Sequence, residues 1–148
     1  MPAPAPSFRD PAGCCCSFHG RVLRFVAAGA VSDFEKFLST NGARQFIGQK
    51  KFVSTRRLNE NETAALRAAP ELRPVFNAQP IGAVFEHERI PFPSYPHEWP
   101  PEMLWSAGRL TLELARAALA DGFGLKDATP RNVLFRGSEP VFLSLIHI

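Results

Sequence analysis

The segment GLKDATPRNVLF, Gly124–Phe135, decides how the fold of this sequence is interpreted. It places Asp127 and Asn132 five positions apart, with Pro130 between them. A helical pattern precedes the segment, and the apolar run NVLF ends it. Because Asp, Pro and Asn favour turns and the apolar run is β-like, the segment is predicted to be a polar loop that leads from a helix into a strand.

The preceding pattern, EMLWSAGRLTLELARAALADG, is the clearest helical signal in the chain. Pro101 suits the first position of this helix, and Gly122 suits its C-terminal cap. After the loop, NVLFRGSEPVFL predicts two short strands around Gly137-Ser138. Apolar residues that predict the buried face of the helix recur at spacings of three and four: Leu104, Ala107, Leu110 or Thr111, Leu114 and Ala118.

The loop has two interpretations. Phosphoryl transfer needs a carboxylate that accepts the proton of an attacking hydroxyl, and an oxygen ligand for Mg²⁺. In protein kinases an Asp and an Asn at the spacing of Asp127 and Asn132 do this, between a long helix and a hairpin. Lys126 is then a candidate phosphate contact. The alternative is an ordinary turn formed by Thr129-Pro130 and capped by Asp127. The spacing alone favours the turn, and the flanking helix and hairpin bring the two interpretations into balance.

The first part of the chain is predicted to be strand-rich. CCCSF and RVLRFV predict two strands around His19-Gly20, and KKFVSTRRL and IGAVFEHERI predict two more. Ser32 and Glu35 have the spacing of a capping box for a helix that ends near Asn41-Gly42. The predicted regions are a disordered Pro/Ala tail (1–12), a strand-rich lobe (13–90), a stiff Pro-rich connector (91–101) and a helix, loop and hairpin (102–142).

Composition excludes several classes of function. The chain has 148 residues and a net charge of +3 without a clustered basic face, so no nucleic-acid partner is expected. Its apolar runs are far shorter than the roughly 20 residues of a membrane span, and no secretory signal is recognisable. Cys14–Cys16 cannot form one metal cage, because consecutive strand residues point to opposite faces. Reduced thiols beside a strand and a cytoplasmic location are predicted.

Other polar and aromatic residues give weaker predictions. His87, between Glu86 and Glu88, is predicted to face solvent, and His97 to belong to the connector. The two tryptophans, Trp99 and Trp105, are predicted to be core or interface residues. Lys50 and Lys51 are interpreted as surface lysines.

Longer motifs resemble a known family. ERIPFPSYPHEW (Glu88–Trp99), the long helix, LKDATPRN and PVF resemble the N-terminal region of bacterial class I SAM-dependent methyltransferase family proteins. SFRDPAG, GRVLRFV and STRRL resemble the opening segments of the same family, so the resemblance covers nearly all of residues 7 to 142. It implies a diverged kinase-like domain, with the loop at Asp127 and Asn132, followed by a methyltransferase domain that binds SAM.

Three departures from the family and kinase patterns stand out. Lys126 replaces the Arg of the kinase loop, and no Gly-rich loop is visible. After Phe142 the sequence reads Leu143-Ser144, where the family pattern VFID has an acid that would match a metal-binding Asp of kinases.

The last six residues, LSLIHI (143–148), suggest a cause for the missing acid. They equal the translation of CTG TCT CTT ATA CAC ATC, a transposase adapter used in sequencing libraries. We therefore hypothesise that the gene sequence is interrupted after Phe142, in which case His147 has no function. The alternative is a natural C-terminus that matches these codons by chance.

The sequence thus predicts an α+β, partial protein-kinase-like fold: a small strand-rich N-terminal part, a long helix, a catalytic-loop-like turn and a β-hairpin. The expected function is that of a catalytically incomplete N-terminal fragment of a SAM-dependent methyltransferase-like protein, whose partner is its own missing C-terminal methyltransferase domain. One alternative is a small-molecule phosphotransferase that uses ATP and Mg²⁺, with Asp127 as base, Lys126 on phosphate and Asn132 on the metal. The other is a non-catalytic, pseudokinase-like binding module.

Overall fold

A computed structural model describes residues 12–143 and 146–147. The predicted tail, apart from Ala12, therefore lies outside the described residues. The chain divides into two compact units. Unit 1 consists of Met1–Ser32 and Thr55–Arg89, and unit 2 of Asp33–Ser54 and Ile90–Ile148. Residues 33–54, which the sequence analysis grouped with the strand-rich region, thus belong to unit 2.

Unit 1 contains a four-stranded antiparallel sheet. Its strands are β1 (Gly13–Phe18), β2 (Arg21–Ala27), β3 (Thr55–Arg57) and β4 (Ile81–His87), in the spatial order β1-β2-β4-β3. The predicted hairpin around His19-Gly20 is confirmed, and both turn residues have positive φ, 48° and 77°. Leu23 and Phe25 of β2 and Val84 of β4 are fully buried in the core of this unit.

The strand predicted for KKFVSTRRL is mostly wrong, because only Thr55–Arg57 pairs with the sheet. Phe52 and Val53 are 3% and 1% exposed and pack in the hydrophobic clusters of unit 2 instead. Phe52 makes an isolated bridge with Phe142. β4 ends at His87, three residues before the predicted end.

Five α-helices lie in the described part of the chain: α1 (Val31–Ser39), α2 (Asn41–Gly48), α3 (Glu60–Ala68), α4 (Arg73–Ala78) and α5 (Pro101–Ala120). The predicted capping box at Ser32 is wrong, since α1 already begins at Val31. A complete capping box instead starts α3, where Asn59 and Glu62 exchange hydrogen bonds. Helix α1 ends at Ser39, two residues before Asn41 and close to the predicted end. Asn41-Gly42 begins α2, which Thr40 caps by accepting from the N–H of Ala43 at 3.1 Å.

Helix α5 organises unit 2. The predicted helix is confirmed, and its buried residues are Ala107, Leu110, Leu114 and Ala118. Leu104, predicted to continue this face, is 47% exposed, and Trp105 is 63% exposed. The burial predicted for Leu104 is wrong, because periodicity defines a helix face but not how far neighbouring elements extend along it. Trp105 is not a core residue, and its role as an interface residue stays a prediction. Trp99 is buried in the same core as the helix, as predicted.

The predicted hairpin is also confirmed. Strands β6 (Val133–Arg136) and β7 (Glu139–Phe142) pair antiparallel around a turn at which Gly137 has a φ of 63°. Two two-residue strands, β5 (Gly124–Leu125) and β8 (Ile146–His147), also pair antiparallel. In the portion described, none of the helices combines the length and apolarity that crossing a membrane requires.

Candidate functional site

The loop between α5 and β6 begins with a sharp chain reversal. Gly122, after the last turn of α5, has a φ of 84°, which only glycine adopts without strain. The N–H of Phe123 donates to the carbonyl of Ala118 at 2.8 Å, so the helix ends in a closed hydrogen-bonded cap. This cap and the short strand β5 fix the direction in which the chain enters the predicted site.

Asp127 and Asn132 are brought together by a direct hydrogen bond. The side-chain amide of Asn132 donates to the backbone carbonyl of Asp127. Asn132 is itself anchored, because its N–H donates to the carbonyl of Thr129 at 3.0 Å and its carbonyl accepts from Leu143 at 2.7 Å. The amide nitrogen makes the bond to Asp127, so the amide oxygen and the Asp127 carboxylate are not used by it. These are the two groups that the phosphoryl-transfer interpretation assigns to chemistry.

The loop contains a turn at the predicted place. Residues Pro130–Asn132 form a single turn of 3-10 helix that follows Thr129, whose side chain makes no capping bond. The side chain of Asn132 ties this turn to the main chain of Asp127. Lys126 and Asp127 are both half-buried on this loop. The roles of Lys126 on phosphate and of Asp127 as a base remain predictions.

The donor groups near the loop do not make a complete metal site. Within residues 12–143 and 146–147, no group of three or more His, Cys, Asp or Glu side chains is placed to hold a metal ion. Asn132 offers Mg²⁺ one amide oxygen, whereas a protein-bound Mg²⁺ is usually held by carboxylates and by substrate phosphates. A further oxygen ligand would have to come from elsewhere.

Nor do the described residues fit SAM. The named strands pair antiparallel, and the sequence has no Gly-rich turn between a parallel strand and a helix, the arrangement that commonly binds such cofactors.

The three cysteines lie in β1, as predicted. Cys14 is buried, Cys15 is exposed and Cys16 is half-buried. Burial, with the neighbouring Cys14 and Cys15 thiols, raises the pKa of Cys16 to about 11. Its thiol is therefore protonated at neutral pH, and a protonated thiol is a poor nucleophile.

His87 corrects the sequence prediction. It is 9% exposed, and its Nδ1 lies 2.7 Å from the hydroxyl of Thr55 on the neighbouring strand β3. Burial, and secondarily the charge of Arg24, lower the pKa of His87 to about 4. The side chain turns inward although both sequence neighbours are acidic, because alternation along β4 places position 87 on the face opposite Glu86.

Two cavities lie away from the loop. One, of about 960 Å³ and open to solvent, lies in unit 1 against α3 and the start of β4. The other, of about 410 Å³, lies in unit 2 between α5, the turn of the β6–β7 hairpin and the segment after α2. Neither is lined by Asp127 or Asn132. The second cavity was not predicted from the sequence, since Lys50 and Lys51 were interpreted as surface lysines and Trp105 as a core or interface residue.

Comparisons with known proteins give one informative similarity. The chain is 32% identical over 144 residues to Nodulation protein NoeA of Rhizobium meliloti (strain 1021). The match covers 97% of this chain but only 28% of that protein. No protein-family model matches the chain, and no solved structure matches it.

Proposed function

We propose that this chain is the N-terminal region of a longer SAM-dependent methyltransferase-like protein. Two observations support the proposal. The similarity to Nodulation protein NoeA runs along 97% of the chain and only 28% of that relative. The motifs ERIPFPSYPHEW and LKDATPRN, on which the methyltransferase resemblance rests, both lie within the matched length. In this proposal SAM binds a domain outside the described residues.

Within such a protein we assign the present region the role of a kinase-like module built around the loop. The observation that supports this role is the hydrogen bond from the Asn132 amide to the Asp127 carbonyl. It holds a carboxylate and an amide oxygen on one short, anchored loop, between a 20-residue helix and a hairpin. This is the order of elements on which the sequence prediction of a kinase-like fold rests.

The test starts from the source gene. Amplifying the locus from source DNA shows which codons follow Phe142. We expect an acid two residues on and, further along, a Gly-rich SAM motif. Isothermal titration of the full-length product with SAM should then show one binding site, and the 148-residue chain should show none. A stop codon directly after Ile148, or a full-length product that does not bind SAM, would contradict the proposal.

A phosphotransferase is the second candidate function, and the juxtaposition of Asp127 and Asn132 is the observation that favours it. This candidate requires an oxygen ligand for Mg²⁺ beyond Asn132. Titration of the full-length product with ATP, with and without Mg²⁺, should show metal-dependent binding that Asn132→Ala weakens. Arg131→Ala, an exposed neighbour in the same turn, is the matched control. Absence of ATP binding would leave a non-catalytic binding module.

A further inference from the structure

Unit 2 contains a cavity that is not lined by the loop residues Asp127 and Asn132. It has a volume of about 410 Å³, within the roughly 300–1,000 Å³ typical of small-molecule sites. Arg136, at the hairpin turn, lines it. Asn132 precedes β6 at the opposite end of that strand, and four residues of strand span about 13 Å. The cavity is therefore separate from the predicted loop site.

The cavity wall is cationic. Four basic side chains and two carboxylates line it, which leaves a net charge of +2. The side chains that define its chemistry are Lys50, Lys51, Trp105, Arg109, Glu113 and Arg136. A concave surface with excess positive charge raises the local concentration of small anions.

The two carboxylates that line the cavity balance only part of its positive charge. Glu113 accepts hydrogen bonds from Lys51 at 3.0 Å and from Arg109 at 3.3 Å, so one carboxylate is shared by two cations. The lysine, then the arginine, lowers the pKa of Glu113, which therefore remains ionised at neutral pH. The other carboxylate, Glu139, lies beside Ser138, with 3.5 Å between the hydroxyl and a carboxylate oxygen. With both carboxylates counted, the lining still carries two more positive charges than negative ones.

Lys50 is held in an unusual backbone conformation. Its φ is 59°, in the left-handed region that side-chain-bearing residues seldom adopt, and its side chain is exposed. Its carbonyl accepts a hydrogen bond from the guanidinium of Arg136 at 3.4 Å. This conformation belongs to the C-terminal cap of α2, in which the N–H of Lys50 donates to the carbonyl of Ile47 and that of Lys51 to Phe46, both at 2.9 Å. The bond from Arg136 to the Lys50 carbonyl brings the lysine and the arginine to the same edge of the cavity.

An aromatic ring completes the wall. Trp105 is 63% exposed, and the guanidinium of Arg109 lies 4.9 Å from the centre of its ring. Leu110 and Pro140 add apolar surface. An exposed indole beside several cations is suited to a ligand that stacks a flat ring and presents a negative group to the basic residues.

We propose that this cavity binds a small molecule that combines a planar ring with one carboxylate or phosphate group. Trp105 contacts the ring, and Arg136 and Lys50 contact the anionic group. A carboxylate ligand and a phosphate ligand would share the ring and the negative charge, and titrations with benzoate and phenyl phosphate distinguish between them.

The experiment uses the full chain labelled with ¹⁵N. The sequence has two tryptophans, so the spectrum contains two indole N–H signals, and Trp105→Phe identifies the one at the cavity. Phenyl phosphate, benzoate, inorganic phosphate and phenol are titrated separately. We expect phenyl phosphate or benzoate to shift the Trp105 signal in a saturable way and to leave that of buried Trp99 in place. Inorganic phosphate and phenol should bind about 10-fold more weakly, because each makes only half of the contacts.

Matched variants connect the shift to the proposed residues. Arg136→Gln should weaken binding about 10-fold or more, the usual effect of losing a charge-assisted hydrogen bond. Lys50→Gly removes the ammonium and suits the left-handed backbone, so it tests the charge without loss of folding. Arg116→Gln removes an exposed charge on α5 that does not line the cavity and should leave binding unchanged. Absence of a saturable Trp105 shift in the folded protein, or equal weakening by Arg116→Gln, overturns the proposal.

Discussion

Protonation of His87 should destabilise the protein as the pH falls below neutral. The imidazole is 9% exposed and hydrogen-bonds to Thr55. Its Nε2 has no hydrogen-bond partner among the described residues. Arg24, 5% exposed, adds a positive charge that opposes a second one on the ring. The folded protein therefore strongly prefers the neutral imidazole.

The magnitude follows from the difference in pKa between the unfolded and folded chains. The folded pKa is about 4, against an ordinary value of 6.5, so the unfolded chain binds the proton first as the pH falls. Stability is thus complete above pH 6.5, falls between 6.5 and 4, and changes no further below 4. Linkage over these two pKa values gives a loss of about 2 kcal/mol in the free energy of unfolding between pH 7 and pH 5.

Urea unfolding followed by circular dichroism at pH 7 and pH 5 measures this loss. His87→Asn removes the titrating ring and places an amide where Nδ1 meets the Thr55 hydroxyl, so its free energy of unfolding should change by about 0.5 kcal/mol or less over the same range. His19→Asn is the matched control in the same unit. Its histidine is exposed and has positive φ, which asparagine tolerates, so this variant should keep the full pH dependence.

The titration of Glu62 falls outside the pH range of this measurement. A hydrogen bond from Arg56, and then one from the N–H of Asn59, lower the pKa of Glu62 to about 2. The stability that this group contributes is present above its ordinary pKa of 4.5 and is lost as the pH falls toward 2, below the window used for His87. If His87→Asn loses as much stability between pH 7 and pH 5 as the parent, the assignment to His87 is wrong.

Three further predictions concern unit 2. Asn132→Ala removes the bond to the Asp127 carbonyl and should cost about 1 kcal/mol of stability by thermal denaturation; an unchanged midpoint would show that the loop does not depend on this amide. Leu114 is 1% exposed, and Leu114→Ala should lower the free energy of unfolding in urea by about 2–5 kcal/mol. Leu112 is 72% exposed, and Leu112→Ala should change that free energy by no more than about 0.5 kcal/mol. Similar losses for the two variants would contradict the assigned helix face. Gly122→Ala forces a φ of 84° on alanine and should destabilise the protein by about 1 kcal/mol. Gly108→Ala, inside α5 with open space around the added methyl group, should instead stabilise it by about 0.5–1 kcal/mol. Calorimetry that found the same sign for both variants would refute the cap geometry.

The candidate loop could be predicted to a useful degree from the sequence. The polar residues, the spacing of Asp127 and Asn132, and the flanking helix and hairpin are local patterns, and the structure contains each of them. The bond from the Asn132 amide to the Asp127 carbonyl was not predictable, because the spacing of two residues does not say which of their groups will meet. The cavity could not be predicted either, because its basic residues, Lys50 and Lys51, Arg109 and Arg136, lie on three separate segments of the chain that only the fold brings together.

The sequence by itself determined the elements that local physics controls. Proline fixed the start of α5, a glycine with positive φ fixed its end, and short turns fixed both hairpins. Only the tertiary structure decided whether residues with an ambiguous sequence pattern are buried or exposed. Phe52 lies in a strand-like sequence pattern but packs in the core of unit 2, and His87 is buried although both of its sequence neighbours are acidic. Leu104 is exposed although the helical pattern predicted its burial. The reason is that periodicity and propensity act within a segment, whereas burial depends on which distant surface the segment meets.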